Sequence, residues 1–258
     1  MTDLSRRAVM KATGAVGASM LPIGFAPDES SAQEPRNTPA APSTSGAPQP
    51  NSQVQSAPYL FLNSEEAAFI EVAVARLIPA DDRWPGALEA GVPNYIDKQL
   101  NGAWGTGERL YRSGPWQAGT PSQGYQLPFT PAELFRNAIA AINGEFKGRT
   151  PFAKMSAEEQ DAYLRGLEAG GKDLGGVPSN LFFSELWEST VEGFFSDPVY
   201  GGNRDMIAWR MIGFPGAYAS YYDIVHQHGI SIDRAPVSLA EDVHGHVHMD
   251  PAIPAHLP

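Results

Sequence analysis

The sequence predicts an all-α fold: a single irregular helical domain with long loops, preceded by a short N-terminal signal and a Pro/Ala/Ser-rich tether. Three observations carry that prediction. Apolar residues recur at three- and four-residue spacing through much of 59–232. Capping residues followed three positions later by a carboxylate stand in front of several of these stripes. No stretch alternates strictly enough to make a convincing strand, and no nucleotide-binding glycine fingerprint is present.

The elements follow in order. Asn63-Ser64-Glu65-Glu66 reads as a cap with its carboxylate, and Ile70, Ala73, Val74, Leu77 and Ile78 fall on one face behind it, until Pro79 stops the helix. A second helix starts near Pro93-Asn94, with Ile96, Leu100 and Trp104 turned inward. Thr130-Pro131-Ala132-Glu133 combines cap, first-turn proline and carboxylate, and the stripe behind it is Phe135, Ala138, Ile139, Ile142 and Phe146. Ser156-Ala157-Glu158-Glu159 opens a further helix with Tyr163, Leu164 and Leu167 apolar. Between Asn180 and Phe195 the stripe is Phe183, Trp187, Thr190, Val191 and Phe194. A last helix is expected over 217–228, ending at Gly229. Long loops at 80–93 and 105–128 are of the kind that serve function or a partner.

Residues 5–11 read Ser5-Arg6-Arg7-Ala8-Val9-Met10-Lys11, close to the Ser-Arg-Arg-x-apolar-apolar-Lys pattern of twin-arginine export signals. The apolar stretch behind it is diluted by Gly14, Gly17 and Gly24 and is too short to span a bilayer. The expected organisation is a signal over 1–32, a disordered linker over 33–58, the helical domain over 59–232 and a Pro/His-containing tail over 233–258. A mature chain of this kind is expected in the periplasm, with no membrane span of its own.

The formal net charge is −11. Arg6, Arg7 and Lys11 offset Asp3, Asp28 and Glu29, so losing the signal leaves that excess intact. An acidic chain is repelled by phosphate backbones and anionic lipid, which argues against nucleic-acid binding and polybasic membrane docking. The chain has no cysteine. Thiolate-held iron–sulfur clusters, Cys-containing zinc sites and covalent c-type haem are therefore excluded. The twin-arginine route moves folded proteins, commonly because a cofactor has been inserted first. Here the residues that hold the commonest such centres are missing.

Catalytic patterns are scarce: there is no Gly-x-Ser-x-Gly, His-Glu-x-x-His or P-loop. Asp81-Asp82-Arg83 lies in a loop just past Pro79, where a solvated loop with a local ion pair is a commoner explanation than a catalytic carboxylate pair. Trp84, Trp104, Trp116, Trp187 and Trp209 suit core or interface anchors better than a sugar platform. His226 and His228 close the last expected helix, where the dipole favours a cation. His244, His246 and His248 alternate, so an extended segment puts all three on one side and gives them affinity for Zn²⁺, Cu²⁺ or Ni²⁺, although no scaffold for a metal site is evident around them.

One segment stands apart. It reads Asp197-Pro198-Val199-Tyr200-Gly201-Gly202-Asn203-Arg204-Asp205 and continues through Trp209 to Phe214-Pro215-Gly216-Ala217. Gly201, Gly202 and Asn203 tolerate left-handed backbone, Asp205 suits the first turn of a helix through Met211, and Phe214-Pro215-Gly216 makes a turn into the last helix. This run closely resembles the signature of the gluconate 2-dehydrogenase subunit 3 family. Leu77-Ile78-Pro79-Ala80-Asp81, Pro85-Gly86-Ala87 and Ala90-Gly91-Val92-Pro93 are similar to that family too, and the resemblance spans about 61–230.

The resemblance implies a non-catalytic small subunit, with no cofactor in this chain. Its partners would be a glucose–methanol–choline-type flavoprotein carrying FAD and a multihaem c-type cytochrome that passes electrons to quinone. The family's small subunit supports folding of the flavoprotein and can carry the only export signal, making the twin-arginine translocase a further partner. Tyr200, Gly201, Gly202, Asn203, Arg204, Asp205, Trp209, Phe214, Pro215 and Gly216 are then the expected partner interface; Ser5, Arg6, Arg7 and Lys11 form the export signal. A stand-alone exported metal-dependent hydrolase and a periplasmic sugar-binding module are the competing readings.

Overall fold

The structure, a computed structural model, describes residues 58–239 apart from 109, 118, 121, 122, 219–223 and 233. The export signal, nearly all of the tether and the His244–His248 run lie outside the described residues. Among the described residues there are six α-helices: α1 Ser64–Leu77, α2 Val92–Asn101, α3 Pro131–Glu145, α4 Ala157–Glu168, α5 Ser179–Phe195 and α6 Ile207–Ile212. There is no strand among the described residues, only two isolated bridges, Asp173 with Pro178 and Gly216 with Val237. The all-α prediction holds.

Three of the helices begin as the sequence dictates. Asn63, Thr130 and Ser156 each accept a hydrogen bond from the backbone N–H three residues on. The Glu66, Glu133 and Glu159 carboxylates in turn accept the cap's own N–H, at 2.9, 2.8 and 2.9 Å. Each box satisfies two N–H groups that the helix itself leaves unpaired. These bonds to the ionised form hold the Glu133 and Glu159 carboxyls below the usual carboxylate range.

α5 is the centre of the domain and touches every other α-helix. Its buried face is Phe182, Leu186, Ser189, Thr190, Gly193 and Phe194. The expected stripe was therefore out of phase: Thr190 and Phe194 are buried, but Phe183, Trp187 and Val191 are only half-buried. A helix with neighbours on several sides is apolar around much of its circumference, and periodicity then loses its power to choose a face. Trp104 departs as well. It lies beyond the end of α2, is 37% exposed, and meets Phe135 edge-on at 6.3 Å.

A chain of aromatic rings crosses the core. Tyr163 meets Phe152 at 5.6 Å, Phe152 meets Phe69 at 4.9 Å, Phe69 meets Phe182 at 6.0 Å and Phe182 meets Phe135 at 5.5 Å. At the rim Arg76 makes a two-pronged bond to Asp161, 2.7 Å at each contact, which ties α1 to α4.

The incoming chain is held by one buried carboxylate. Asp97 of α2 is 3% exposed and accepts the backbone N–H groups of Leu60, Phe61 and Leu62 at 2.8–2.9 Å. Arg136 adds a second hold, with its guanidinium 4.1 Å from the centre of the Phe61 ring and one N–H on the Phe61 carbonyl.

Candidate functional site

Among the described residues, every non-glycine residue with left-handed backbone lies where α5 gives way to α6. Asp197 starts a 3₁₀ turn, Pro198–Tyr200, by accepting the Val199 N–H at 3.0 Å. Asn203 then sits fully buried in the left-handed region, with φ 44°. Its Nδ2 donates to the Ser196 carbonyl and its Oδ1 accepts the Ala208 N–H, both at 2.9 Å. One amide thus fastens the exit of α5 to the start of α6. Asp205 and Met206 follow with φ 57° and 54°. Each non-glycine residue held there costs on the order of 1–2 kcal/mol, so the surrounding contacts must hold the joint firmly.

Two close approaches lock it. A Cβ on buried Gly202 would run into the Gly193 carbonyl of α5. Trp209, 6% exposed, donates its indole N–H to the Phe195 carbonyl at 2.8 Å and meets Phe214 edge-on at 5.2 Å. The chain beyond the domain boundary expected at 232 returns to this joint. Val237 bridges Gly216, the Ala217 N–H donates to the Val237 carbonyl at 2.7 Å, and the Val237 N–H donates to the Pro215 carbonyl at 3.1 Å. Asp197, 7% exposed, takes the Ser238 hydroxyl at 2.7 Å and the Leu239 N–H at 2.8 Å.

The structure sorts the expected interface residues into two groups. Gly202, Asn203 and Trp209 are buried, and Gly201, Arg204, Pro215 and Gly216 are half-buried. Asp205 is exposed, as are Tyr200 at 51% and Phe214 at 45%. Ile212, which the sequence reading passed over, is exposed at 53%. The export-signal residues Ser5, Arg6, Arg7 and Lys11 lie outside the described residues.

Two local expectations are corrected. Asp205 is not a first-turn residue, because α6 begins only at Ile207 after two left-handed residues. The helix expected over 217–228 has no helical residue among those described. Its first N–H is taken by Val237, so the chain leaves Gly216 in a bridge instead of a turn into a helix. His226 and His228 are exposed and have no helix end to stabilise among the described residues. Asp81 lies in the expected loop after Pro79 and accepts the N–H groups of Arg83 and Trp84 at 2.9 and 2.7 Å, which closes a turn there.

The sequence reading gave no role to Asp97, Asp197 or Ser238. Asp97 carried a faint signal, an acid beside Ile96 on the inward side of a short helix. The bonds of Asp197 span as many as 42 positions, which no local pattern reveals.

On α5, Glu185, Glu188 and Glu192 follow one another along the helix. Burial, and then the charges of Glu188 and Glu192, push the Glu185 carboxyl up to about 7. Burial also raises Glu192, against the Tyr95 hydroxyl bond that lowers it. Among the described residues no group of three or more His, Cys, Asp or Glu is placed to hold a metal, and no helix is long and apolar enough to cross a membrane.

Fold and joint together define a small helical domain whose most constrained backbone lies at a single helix–helix joint. The chain belongs to the gluconate 2-dehydrogenase subunit 3 family, whose model matches residues 64–216, from the first residue of α1 to the bridge that ends the joint. That family is named for a subunit of a multi-subunit dehydrogenase. No curated protein and no solved structure matches the chain.

Proposed function

We propose that this chain is the non-catalytic small subunit of a periplasmic, membrane-associated FAD-dependent sugar or polyol dehydrogenase. It assists folding of the flavoprotein and carries it, already loaded with FAD, through the twin-arginine route. Oxidation of the substrate belongs to the flavoprotein. Electron transfer to quinone belongs to a multihaem c-type cytochrome, since a chain without cysteine cannot attach haem through Cys-x-x-Cys-His. The complex would sit at the inner membrane through its partners.

The observation that carries this reading is the family match over 64–216, which takes in the whole joint from Asp197 to Gly216. The joint's exposed Tyr200, Ile212 and Phe214 are large apolar groups on a backbone held from beneath by Asn203 and Trp209. Aromatic residues on a rigid support are what protein interfaces use as anchors. Export through the folded-protein route also gains a reason: the cofactor in transit is the partner's.

Co-expression with the flavoprotein tests it. The chain should co-purify with a yellow, flavin-loaded partner, whereas alone it should be colourless and inactive. Hydrolytic activity of the lone chain that a chelator abolishes would replace this reading with a metallohydrolase. Calorimetric sugar binding by the lone chain would replace it with a binding module.

A further inference from the structure

Two basic side chains each lie over a glycine beside the joint. Gly91, just before α2, and Gly201, at the end of the 3₁₀ turn, both take left-handed backbone, with φ 78° and 98°. They lie against each other: a Cβ on Gly91 would stand 3.2 Å from the Gly201 carbonyl oxygen. Each glycine leaves room for one basic side chain. The Arg204 guanidinium lies over Gly91, with Nη2 3.5 Å from where a Cβ would be. The Lys98 side chain lies over Gly201, with Cδ and Nζ each 3.0 Å from the equivalent point. Arg204 is further fixed by its backbone N–H on the Ala90 carbonyl at 2.9 Å.

Two carboxylates of the neighbouring helices are engaged elsewhere. Both oxygens of Asp97 hold the N–H groups of residues 60–62, and Glu71 takes the Tyr59 hydroxyl at 2.7 Å. Among the described residues neither Lys98 nor Arg204 enters an ion pair, although the chain carries a net charge of −11. Lys98 is exposed, Arg204 is half-buried, and exposed Tyr200 is the neighbour of Gly201 in the chain.

We propose that Lys98 and Arg204 form a two-cation docking point for a carboxylate-bearing surface segment of the flavoprotein, an inference that rests on the function proposed above. Charge complementarity names the occupant. A guanidinium offers a planar fork that matches a carboxylate, and the ammonium supplies a point charge beside it. On a chain of net charge −11, such a pair favours the approach of an acidic segment at this point and helps to fix its register. The adjoining tyrosine gives the contact an aromatic anchor.

The test uses the full-length chain co-expressed with its flavoprotein and compares wild type with Lys98→Glu/Arg204→Glu. Reversal should weaken the complex by about 10- to 100-fold at low salt and flatten its salt dependence. Far-UV circular dichroism should show that the reversed chain is folded, and Lys98→Glu alone, at the exposed member of the pair, should weaken the complex in the same direction. Lys98→Arg should bind as wild type does. If the wild-type complex forms and the double reversal binds equally well with the same salt dependence, the docking point is overturned while the proposed function stands. If the wild-type chain does not associate with the flavoprotein at all, it is the proposed function that fails. Stabilisation of the lone chain by millimolar inorganic phosphate that the reversal removes, with the complex unaffected, would assign the pair to a small anion and overturn the proposal.

Discussion

The helical body and the α5–α6 joint are held by opposite kinds of interaction. In the body, each capping box closes within four consecutive residues and apolar side chains fill the core, with a few long-range polar ties from Asp97, Arg76 and Arg136 at its edges. In the joint, Asn203 reaches seven positions back, Trp209 fourteen back and Asp197 forty-two forward, all from buried or half-buried settings. The body is thus a set of small independent gains. The joint is a fully bonded polar network imposed on a strained backbone, where losing one member leaves others buried without partners. Backbone that stiff is suited to presenting a surface in one fixed shape, as a docking subunit requires.

Substitutions should separate the two regions sharply, and the largest effect belongs to the joint. Gly202→Val drives a side chain into the Gly193 carbonyl, and the cost should be about 3 kcal/mol or more by urea denaturation. Asn203→Ala should follow at about 2–3 kcal/mol, because the Ala208 N–H and the Ser196 carbonyl lose their partner. A loss below about 1 kcal/mol at Asn203 would mean that the joint is no stiffer than the body. In the body, Thr130→Ala removes one cap and should cost only about 1 kcal/mol.

The remaining effect is electrostatic and appears only as a pH dependence. The Glu185 carboxyl stays protonated up to about pH 7 in the folded chain, against a usual value of 4.5. Between those values the unfolded chain has lost the proton that the folded chain keeps, so stability falls as pH rises from about 4.5 to 7. Glu185→Gln should remove that part of the pH dependence. Melting temperatures of the two proteins, compared across this window, should diverge increasingly in favour of the glutamine variant. Parallel curves would show that α5 leaves this carboxyl well solvated.

The same contrast explains what the sequence made legible. Caps, first-turn prolines and apolar stripes are local, so α1, α3 and α4 begin where the residues say they should. The phase of α5 was not legible, because a helix with neighbours on several sides offers more than one apolar stripe. Among the described residues of 217–228 none is helical, although the local residues suit a helix. A bridge to Val237, some twenty positions later, competes for its backbone. Tyr200 and Phe214 were recognisable by type, and their exposure fits an interface. Gly202, Asn203 and Trp209 belong to the same motif but are spent inside the domain. A motif alone does not say which of its residues build the support and which face outward. Lys98 escaped notice because only the fold brings it onto Gly201.

The central claim is that this chain carries a second, flavin-loaded protein across the membrane. The most direct measurement is the location of the flavoprotein in cells where Arg6→Lys and Arg7→Lys have been introduced together. The account predicts that the flavin-loaded partner accumulates in the cytoplasm and that periplasmic dehydrogenase activity is lost. Undiminished arrival of the flavoprotein in the periplasm would contradict it.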